Sequence, residues 1–410
     1  MHANCPSVIS TMPTVEAPRP AGTGEASVGV ALLPLMLVVL VAFIVIGMAL
    51  PVLPLHVHDG LGFGAAMVGL VAGSQFAASL ASRVWSGRTC DSRGPKRAMV
   101  TGLAGATVAG LLYLLSLRFA GSPQVSVAVL LAGRAVLGGA ESFIITGATV
   151  WGLARVGAQN AGKVIAWMGT AMFAAFAGGA PLGVALYSRG GFGAVAAATA
   201  LAPLATMALV VPLQAVASGR KQSARMLSVV RKIWLPGLGA ALSSIGFGVI
   251  VTFGSLFFAA HGWTPVWLAF TSYAVALVVA RLLFGHLPDR IGGAKVALVC
   301  VLIEAAGLAL MAFAPSPIPA AIGAALVGFG YALVFPGLGV EAVRRAPPES
   351  RGIAMGAYTA CLDLALGVSG PVLGLVASGM GLNAVFLVSA LAVLAAALVA
   401  LRLLKAGDAS

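Results

Sequence analysis

Long apolar stretches, broken by glycine, proline and charged residues, cover most of the chain. Each stretch approaches the roughly 20 apolar residues with which a helix crosses a bilayer. We predict helices, because backbone groups that face lipid must find hydrogen-bond partners within their own segment. The predicted segments are 30–55, 63–86, 98–117, 125–150, 163–187, 194–213, 234–259, 266–287, 294–314, 320–343, 353–377 and 383–403. The pattern therefore predicts an all-α polytopic membrane protein with twelve transmembrane helices.

The composition of the 410 residues agrees with this pattern, because 60% are hydrophobic and only 9% are charged. A soluble domain carries about 25% charged residues. The composition excludes a soluble globular protein, a disordered chain and a secreted disulfide scaffold. Residues 1–27 are polar and are predicted to form a disordered cytoplasmic tail. The four cysteines have no metal-ligand spacing, so we expect no metal site.

The net charge of +13 could indicate a nucleic-acid partner, but the positions of the charges argue against one. On the predicted segments, 21 of the 24 lysines and arginines fall on one side of the membrane. The exceptions are Arg118 and Arg189 on the other side and Arg134 inside a segment. The positive-inside rule then predicts a multi-pass protein of the cytoplasmic (inner) membrane, with both termini in the cytoplasm.

Two basic segments repeat one pattern at an offset of 198 residues. The two copies are Arg83-x3-Gly87-x3-Asp91-x2-Gly94 and Arg281-x3-Gly285-x3-Asp289-x2-Gly292. Basic residues accompany both copies, namely Lys96 and Arg97 in the first and Arg290 and Lys295 in the second. The repeat predicts two homologous six-helix bundles, 28–213 and 234–405, joined by a cytoplasmic linker over 214–233. We interpret both copies as gating loops; the alternative is a turn whose charges only set topology.

The first copy resembles the signature loop of the major facilitator superfamily, and the second keeps the family's basic residue after aspartate as Asp289-Arg290. The first copy has Ser92 at that place, so a salt bridge from this position is lost. Further elements are similar to those of drug/proton antiporters: Gly47-x3-Pro51-Val52-Leu53-Pro54, Arg134-x3-Gly138-Gly139-Ala140, Gly178-Gly179-Ala180-Pro181-Leu182-Gly183 and Gly370-Pro371-x2-Gly374. The resemblance is to the drug and sugar efflux branch, notably the arabinose-efflux-permease-like inner-membrane transporters. It implies two pseudo-symmetric six-helix bundles that work by alternating access.

The prolines of these elements are predicted to bend their helices, because proline removes a backbone hydrogen bond. They are Pro51, Pro54, Pro181 and Pro371. Glycine beside proline also permits close helix contact. Matched bends in both halves suit two bundles that rock about a central site.

Four ionisable residues fall well inside predicted segments, where a charge costs about 2.5–3.5 kcal/mol on insertion scales. They are Arg134, Glu141, Glu304 and Asp363. We interpret Glu141 and Asp363 as proton-coupling residues and Arg134 as the group that adjusts the proton affinity of Glu141. The alternative is a static buried polar network. Glu304 is expected to be structural, at a depth that Arg281 could reach.

Polar and aromatic residues of the predicted helices are candidates for the substrate cavity. These candidates are Gln75, Glu141, Trp167, Thr252, Tyr331 and Tyr358. For each aromatic residue, ordinary helix packing is the alternative. Gln75 is the stronger candidate, because an amide surrounded by lipid requires a hydrogen-bond partner.

We predict a secondary active transporter that exports a small organic molecule in exchange for protons, not an enzyme. No phosphate-binding loop is present in the sequence, so we expect no cofactor and a proton gradient as the driving force. The expected partners are a small-molecule substrate, protons and the lipid bilayer, with no nucleic acid, and we expect a monomer. Proton-coupled uptake or a facilitator is the first alternative, and a membrane enzyme or lipid scramblase is a remote one.

Overall fold

The computed structural model describes residues 25–157, 160–216, 226–346 and 351–407. Residues 1–24 of the predicted tail and residues 217–225 of the predicted linker lie outside this part of the chain. The helices are α1 Glu25–Leu55, α2 Ala65–Arg93, α3 Pro95–Leu117, α4 Pro123–Val156, α5 Ala161–Val210, α6 Met226–Ala260, α7 Leu268–Phe284, α8 Leu287–Ile291, α9 Gly293–Ala312, α10 Pro317–Arg345, α11 Arg351–Met380 and α12 Leu382–Gly407. A π-helical turn, His56–Gly60, follows α1, and no strand occurs among the described residues. The predicted all-α architecture is confirmed.

Besides the short α8, the described part of the chain has eleven α-helices. Ten of those described are long and apolar enough to span a membrane, and Leu268–Phe284 is a shorter apolar helix. The longest helix, α5, is broken at Gly190 and Gly191, where the backbone leaves helical geometry. Gly191 has a φ of 61°, which favours glycine because it has no Cβ. α5 therefore consists of two arms that cross the bundle separately.

The two repeated segments are mostly helical, which corrects their prediction as loops. Residues 83–93 continue α2, and Gly94 alone separates α2 from α3. In the second copy, Gly292 separates the short helix α8 from α9. Gly94 and Gly292 have φ values of 85° and 98°, so both turns use a conformation that favours glycine. The sequence repeat thus corresponds to a repeat in the backbone.

Chain order defines two ends of the bundle. We call the end that carries Gly94 and Gly292 the basic face, because the connections there hold most of the lysines and arginines. We call the end that carries His56–Gly60 the opposite face. Within the first half, α1 packs on α5 and α3 on α4; within the second half, α9 packs on α10 and α12. The halves meet mainly through α2 with α11, α5 with α7 and α1 with α6.

Backbone contacts bring the halves together nearest the opposite face. A Cβ added to Gly73 of α2 would lie 2.7 Å from the carbonyl oxygen of Gly367 in α11. A Cβ added to Gly374 would lie 2.7 Å from the carbonyl oxygen of Ala65. Small residues let helix backbones approach in this way. The halves are therefore closed against each other on the side of the opposite face.

Candidate functional site

An ion pair between described residues joins the two halves inside the bundle. The Nε of Arg83, in α2, donates to a carboxylate oxygen of Asp363, in α11. The Asp363 side chain is only 5% exposed, whereas that of Arg83 is 24% exposed. The pair therefore spans the surface at which the halves meet and is partly open to solvent. Sequence reasoning counted Arg83 among the loop charges and missed its role as the partner of Asp363.

Glu141 has its partner within the first half. Gln75 Nε2, in α2, donates to Glu141 Oε2, in α4, across 2.7 Å. Gln75 is buried, while Glu141 is partly exposed. The helices meet again at Ser86, whose hydroxyl lies 3.2 Å from that of Ser142. The structure therefore joins two predicted site residues, Gln75 and Glu141, on a polar contact between α2 and α4.

Arg134 lies one heptad before Glu141 on α4 and is buried without an acidic partner among the described residues. Its Nε donates to the carbonyl oxygen of Val71 across 3.4 Å, and one terminal nitrogen has no hydrogen-bond partner in the same part of the chain. It borders a small apolar cavity between the halves, lined by Leu50, Leu53, Pro54, Val57, Val68, Val71, Ala72 and Val251. No bond joins Arg134 to Glu141 in the described structure.

Glu304 is fully buried in the second half. Ser243 Oγ, in α6, donates to Glu304 Oε2 across 2.6 Å, while Oε1 has no partner among the described residues. Gly246 and Gly330 make room for this side chain, since a Cβ on Gly330 would lie 2.9 Å from Glu304 Cβ. Arg281 does not bond to Glu304, although the sequence placed it within reach. Its terminal nitrogen points instead toward the carbonyl oxygen of Ala332, across 3.4 Å.

The remaining cavity candidates lie in separate places. Trp167 is partly buried beside Gly29 of α1, and Thr252 is buried in α6. The hydroxyl of Tyr331 lies 3.2 Å from Ser244 Oγ. Tyr358 donates to the carbonyl oxygen of Phe335 across 2.7 Å and so ties α11 to α10. Of these four, Tyr331 alone belongs to the aromatic cluster that joins the halves, described below.

The predicted gating residues divide into helical positions and turn positions. Gly87 and exposed Asp91 lie in α2, Gly285 follows the end of α7, and Asp289 lies in α8, although its side chain is outside what the structure describes. Arg97, Arg290 and Lys295 are exposed on the basic face. Lys96 makes specific contacts: its Nζ donates to the carbonyl oxygens of Val211 and Leu213, each across 2.8 Å. Lys96 therefore ties the α2–α3 turn to the end of α5.

The proline elements lie inside the predicted helices. Pro51 and Pro54 are in α1, Pro181 is in α5 and Pro371 is in α11. The glycines beside them mark close approaches: a Cβ on Gly179 would lie 2.8 Å from the carbonyl oxygen of Ile44, in α1. The element of α5 thus packs within its own half, whereas that of α11 packs across the two halves on α2.

An aromatic cluster between the halves was not predicted from the sequence. Phe247 of α6 lies at its centre, with ring-centroid distances of 6.5 Å to Phe76 and 6.0 Å to Phe173 from the first half. On the side of the second half, Tyr273 and Tyr331 stack on Phe247 at 5.6 and 5.8 Å. The only sequence signal was the placement of these aromatic residues near mid-segment, which ordinary packing also produces.

Comparisons with known proteins agree with this architecture. The sequence model of the Major Facilitator Superfamily matches residues 35–269 and 237–409. The chain is 42% identical over 364 residues to YhhS, an uncharacterized MFS-type transporter of Escherichia coli strain K12, covering 89% of this chain and 90% of YhhS. It is 43% identical over 355 residues to an uncharacterized MFS-type transporter of Burkholderia mallei strain SAVP1, covering 86% of each chain.

Solved structures share the fold at low sequence identity. The nucleoside transporter NupG superposes with a TM-score of 0.67 at 15% identity, covering 92% of this chain and 99% of NupG. A bacterial homologue of the human lysosomal transporter Spinster gives a TM-score of 0.72 at 14% identity, covering 92% of this chain and 97% of the homologue. Sequence and fold lead to the same conclusion: the chain belongs to the major facilitator superfamily of membrane transporters.

Proposed function

We propose that this transporter exports a small organic molecule in exchange for protons by alternating access. The Arg83–Asp363 pair carries the proposal, because it joins the halves that must separate. Protonation of Asp363 removes the attraction to Arg83 and so favours separation of α2 from α11. Asp363 thereby couples proton binding to a change between two conformations, because the proton binds more tightly to the conformation in which the pair is broken.

Glu141 is the second proposed proton site. It lies on α4 and is held by a neutral partner, Gln75, rather than by a base. A carboxyl group that accepts a hydrogen bond from an amide N–H can keep this hydrogen bond when it is protonated, because one of its oxygens remains an acceptor. Its partial exposure lets it exchange protons with solvent. Glu141 and Asp363 together supply the carboxylates that take up and release the transported protons.

The proposed energetics are sufficient for export. One proton that moves through about 150 mV releases about 3.5 kcal/mol, at roughly 2.3 kcal/mol per 100 mV. That energy supports a substrate gradient of between about two and three decades, at about 1.4 kcal/mol per decade. We place the protein in the inner membrane with the basic face in the cytoplasm, in agreement with the positive-inside rule. The elements of α1 and α5 that resemble those of drug/proton antiporters favour export over uptake.

Flux in proteoliposomes tests this proposal. A growth screen of an overexpressing strain against toxic compounds first identifies a transported compound. We expect an imposed pH gradient to drive its accumulation, and we expect Asp363→Asn and Glu141→Gln to abolish the gradient-driven part. Glu341→Gln is the matched control, since Glu341 forms its ion pair with exposed Arg344 of its own helix. Proton coupling would be refuted if flux did not depend on the pH gradient, or if both variants showed the same flux as the wild type. Accumulation of the compound in the same direction as the protons would establish uptake.

A further inference from the structure

The two halves can be compared contact by contact where they meet. An offset of 198 residues relates α2 to α7 through the repeated segments, and an offset of 190 residues relates Pro181 of α5 to Pro371 of α11. The α2–α11 contact and the α7–α5 contact are therefore pseudo-symmetric counterparts. Under these offsets Gly73 corresponds to Thr271, and Gly367 corresponds to Ala177.

The observed contacts agree with the correspondence that the two offsets predict. Gly73 meets Gly367 in one contact, and Thr271 Oγ1 donates to the carbonyl oxygen of Ala177 across 3.5 Å in the other. The same offsets relate Arg83 to Arg281 and Asp363 to Phe173. The guanidinium of Arg281 does lie over the ring of Phe173, 5.3 Å from its centroid. One half therefore places a carboxylate opposite its arginine, and the other half places an aromatic ring there.

Arg281 is left without a counter-charge by this difference. It forms no ion pair with any residue in the described part of the chain, and its one hydrogen bond there is the long contact with the Ala332 carbonyl. Its electrostatic neighbours are two tyrosines, Tyr273 of its own helix and Tyr331 of α10, while buried Glu304 accepts a hydrogen bond from Ser243. Intramembrane cations are generally paired or face a substrate path. Arg281 is half-buried.

We propose that Arg281 binds the carboxylate of the transported compound, and that the apolar or aromatic body of this organic anion lies against Phe173 and Phe247. Guanidinium groups bind carboxylates through paired, charge-assisted hydrogen bonds. The cluster around Phe247 places aromatic rings from both halves next to that charge. The inference names the substrate class and rests on the proposed transport function. It also explains why one half lacks the carboxylate: the substrate provides it.

Binding to the purified full-length protein tests this inference without any flux measurement. The probes are 3-phenylpropionate and its primary amide, which differ in charge but share an aromatic body, with inorganic phosphate as competitor. We expect calorimetry at constant pH to show the carboxylate binding about ten- to a hundredfold more tightly than the amide, as charge-assisted hydrogen bonds allow. Arg281→Gln should remove this preference, so that the carboxylate and the amide bind with similar affinity, and Arg281→Lys should retain part of it.

Phe173 provides a matched pair of variants on the same contact. Phe173→Asp recreates the arrangement of the other half, so its carboxylate should neutralise Arg281 and abolish the preference for the charged probe. Phe173→Leu keeps an apolar side chain and should preserve that preference. The proposal is overturned if wild-type protein binds neither probe or does not distinguish them, if Arg281→Gln keeps the preference, or if phosphate competes as well as the arylcarboxylate. A lack of proton coupling in vesicles would refute the transport mechanism but leave these binding results intact.

Discussion

Two arginines one repeat apart have different surroundings, although the sequence presents them alike. Arg83 and Arg281 start the two copies of the repeated segment, and both lie in helices that meet the other half. Sequence patterns could locate the charged residues but could not tell which helix faces them. Which helix faces each arginine depends on how the two halves pack together. The hydrophobic pattern of one sequence does not specify that packing.

The buried carboxyl group of Glu304 has one hydrogen-bond donor among the described residues, the hydroxyl group of Ser243. We expect Ser243→Ala to lower the free energy of unfolding by about 1–3 kcal/mol, because the buried carboxyl would lose its hydrogen-bond donor. The measurement is the apparent melting temperature of the protein in detergent. Ser389→Ala is the control: Ser389 is equally buried, but its hydroxyl bonds to the Val385 carbonyl of its own helix. An equal decrease in melting temperature in the two variants would show that the hydrogen bond from Ser243 to Glu304 does not stabilise the protein.

At the scale of helices, the contact between α2 and α11 depends on the absence of side chains. We expect Gly73→Ala to push α2 away from α11, because the new Cβ would lie only 2.7 Å from the Gly367 carbonyl oxygen. Spin labels at Gly64→Cys and Gly379→Cys, where a Cβ meets nothing within 4 Å, would report a longer distance or a broader distribution.

Gly87→Ala, on the same helix, is the control for this experiment. Its Cβ also meets nothing within 4 Å, so only helix propensity changes, and alanine favours a helix by about 1 kcal/mol over glycine. An unchanged label distance in Gly73→Ala would mean that backbone contact does not hold this side closed.

Helices were more predictable than their ends or their partners. The apolar runs were long enough to reveal each long helix that the structure describes, including the two arms of α5 that meet at Gly190 and Gly191. The ends were less clear, because polar residues continue a helix beyond the lipid: α2 extends to Arg93, and α6 begins at Met226 rather than near residue 234. Gln75 and Glu141 were each recognised as unusual for lipid, yet their mutual hydrogen bond required the packing of α2 on α4.

For the whole molecule, the distribution of charge predicts its orientation. We expect a membrane-impermeant maleimide added to intact cells to label Ser122→Cys, near Arg118, but not Ser92→Cys, beside Arg93, in a cysteine-free background. The reason is that basic connections remain in the cytoplasm. Permeabilised cells, in which both positions should react, provide the control. Labelling of Ser92→Cys alone in intact cells would reverse the orientation.

The glycine contact between α2 and α11 also bears on how fast the transporter exchanges conformations. Backbone atoms of Gly69, Gly73 and Gly370 touch there, and no hydrogen bond between described residues joins these glycines. Parting them breaks dispersion contacts of about 0.1–0.2 kcal/mol per atom pair and leaves the helical N–H groups satisfied. The Arg83–Asp363 pair then contributes the main polar part of the activation barrier to separating α2 from α11. One proton at Asp363 would therefore change the rate of this step as well as its equilibrium.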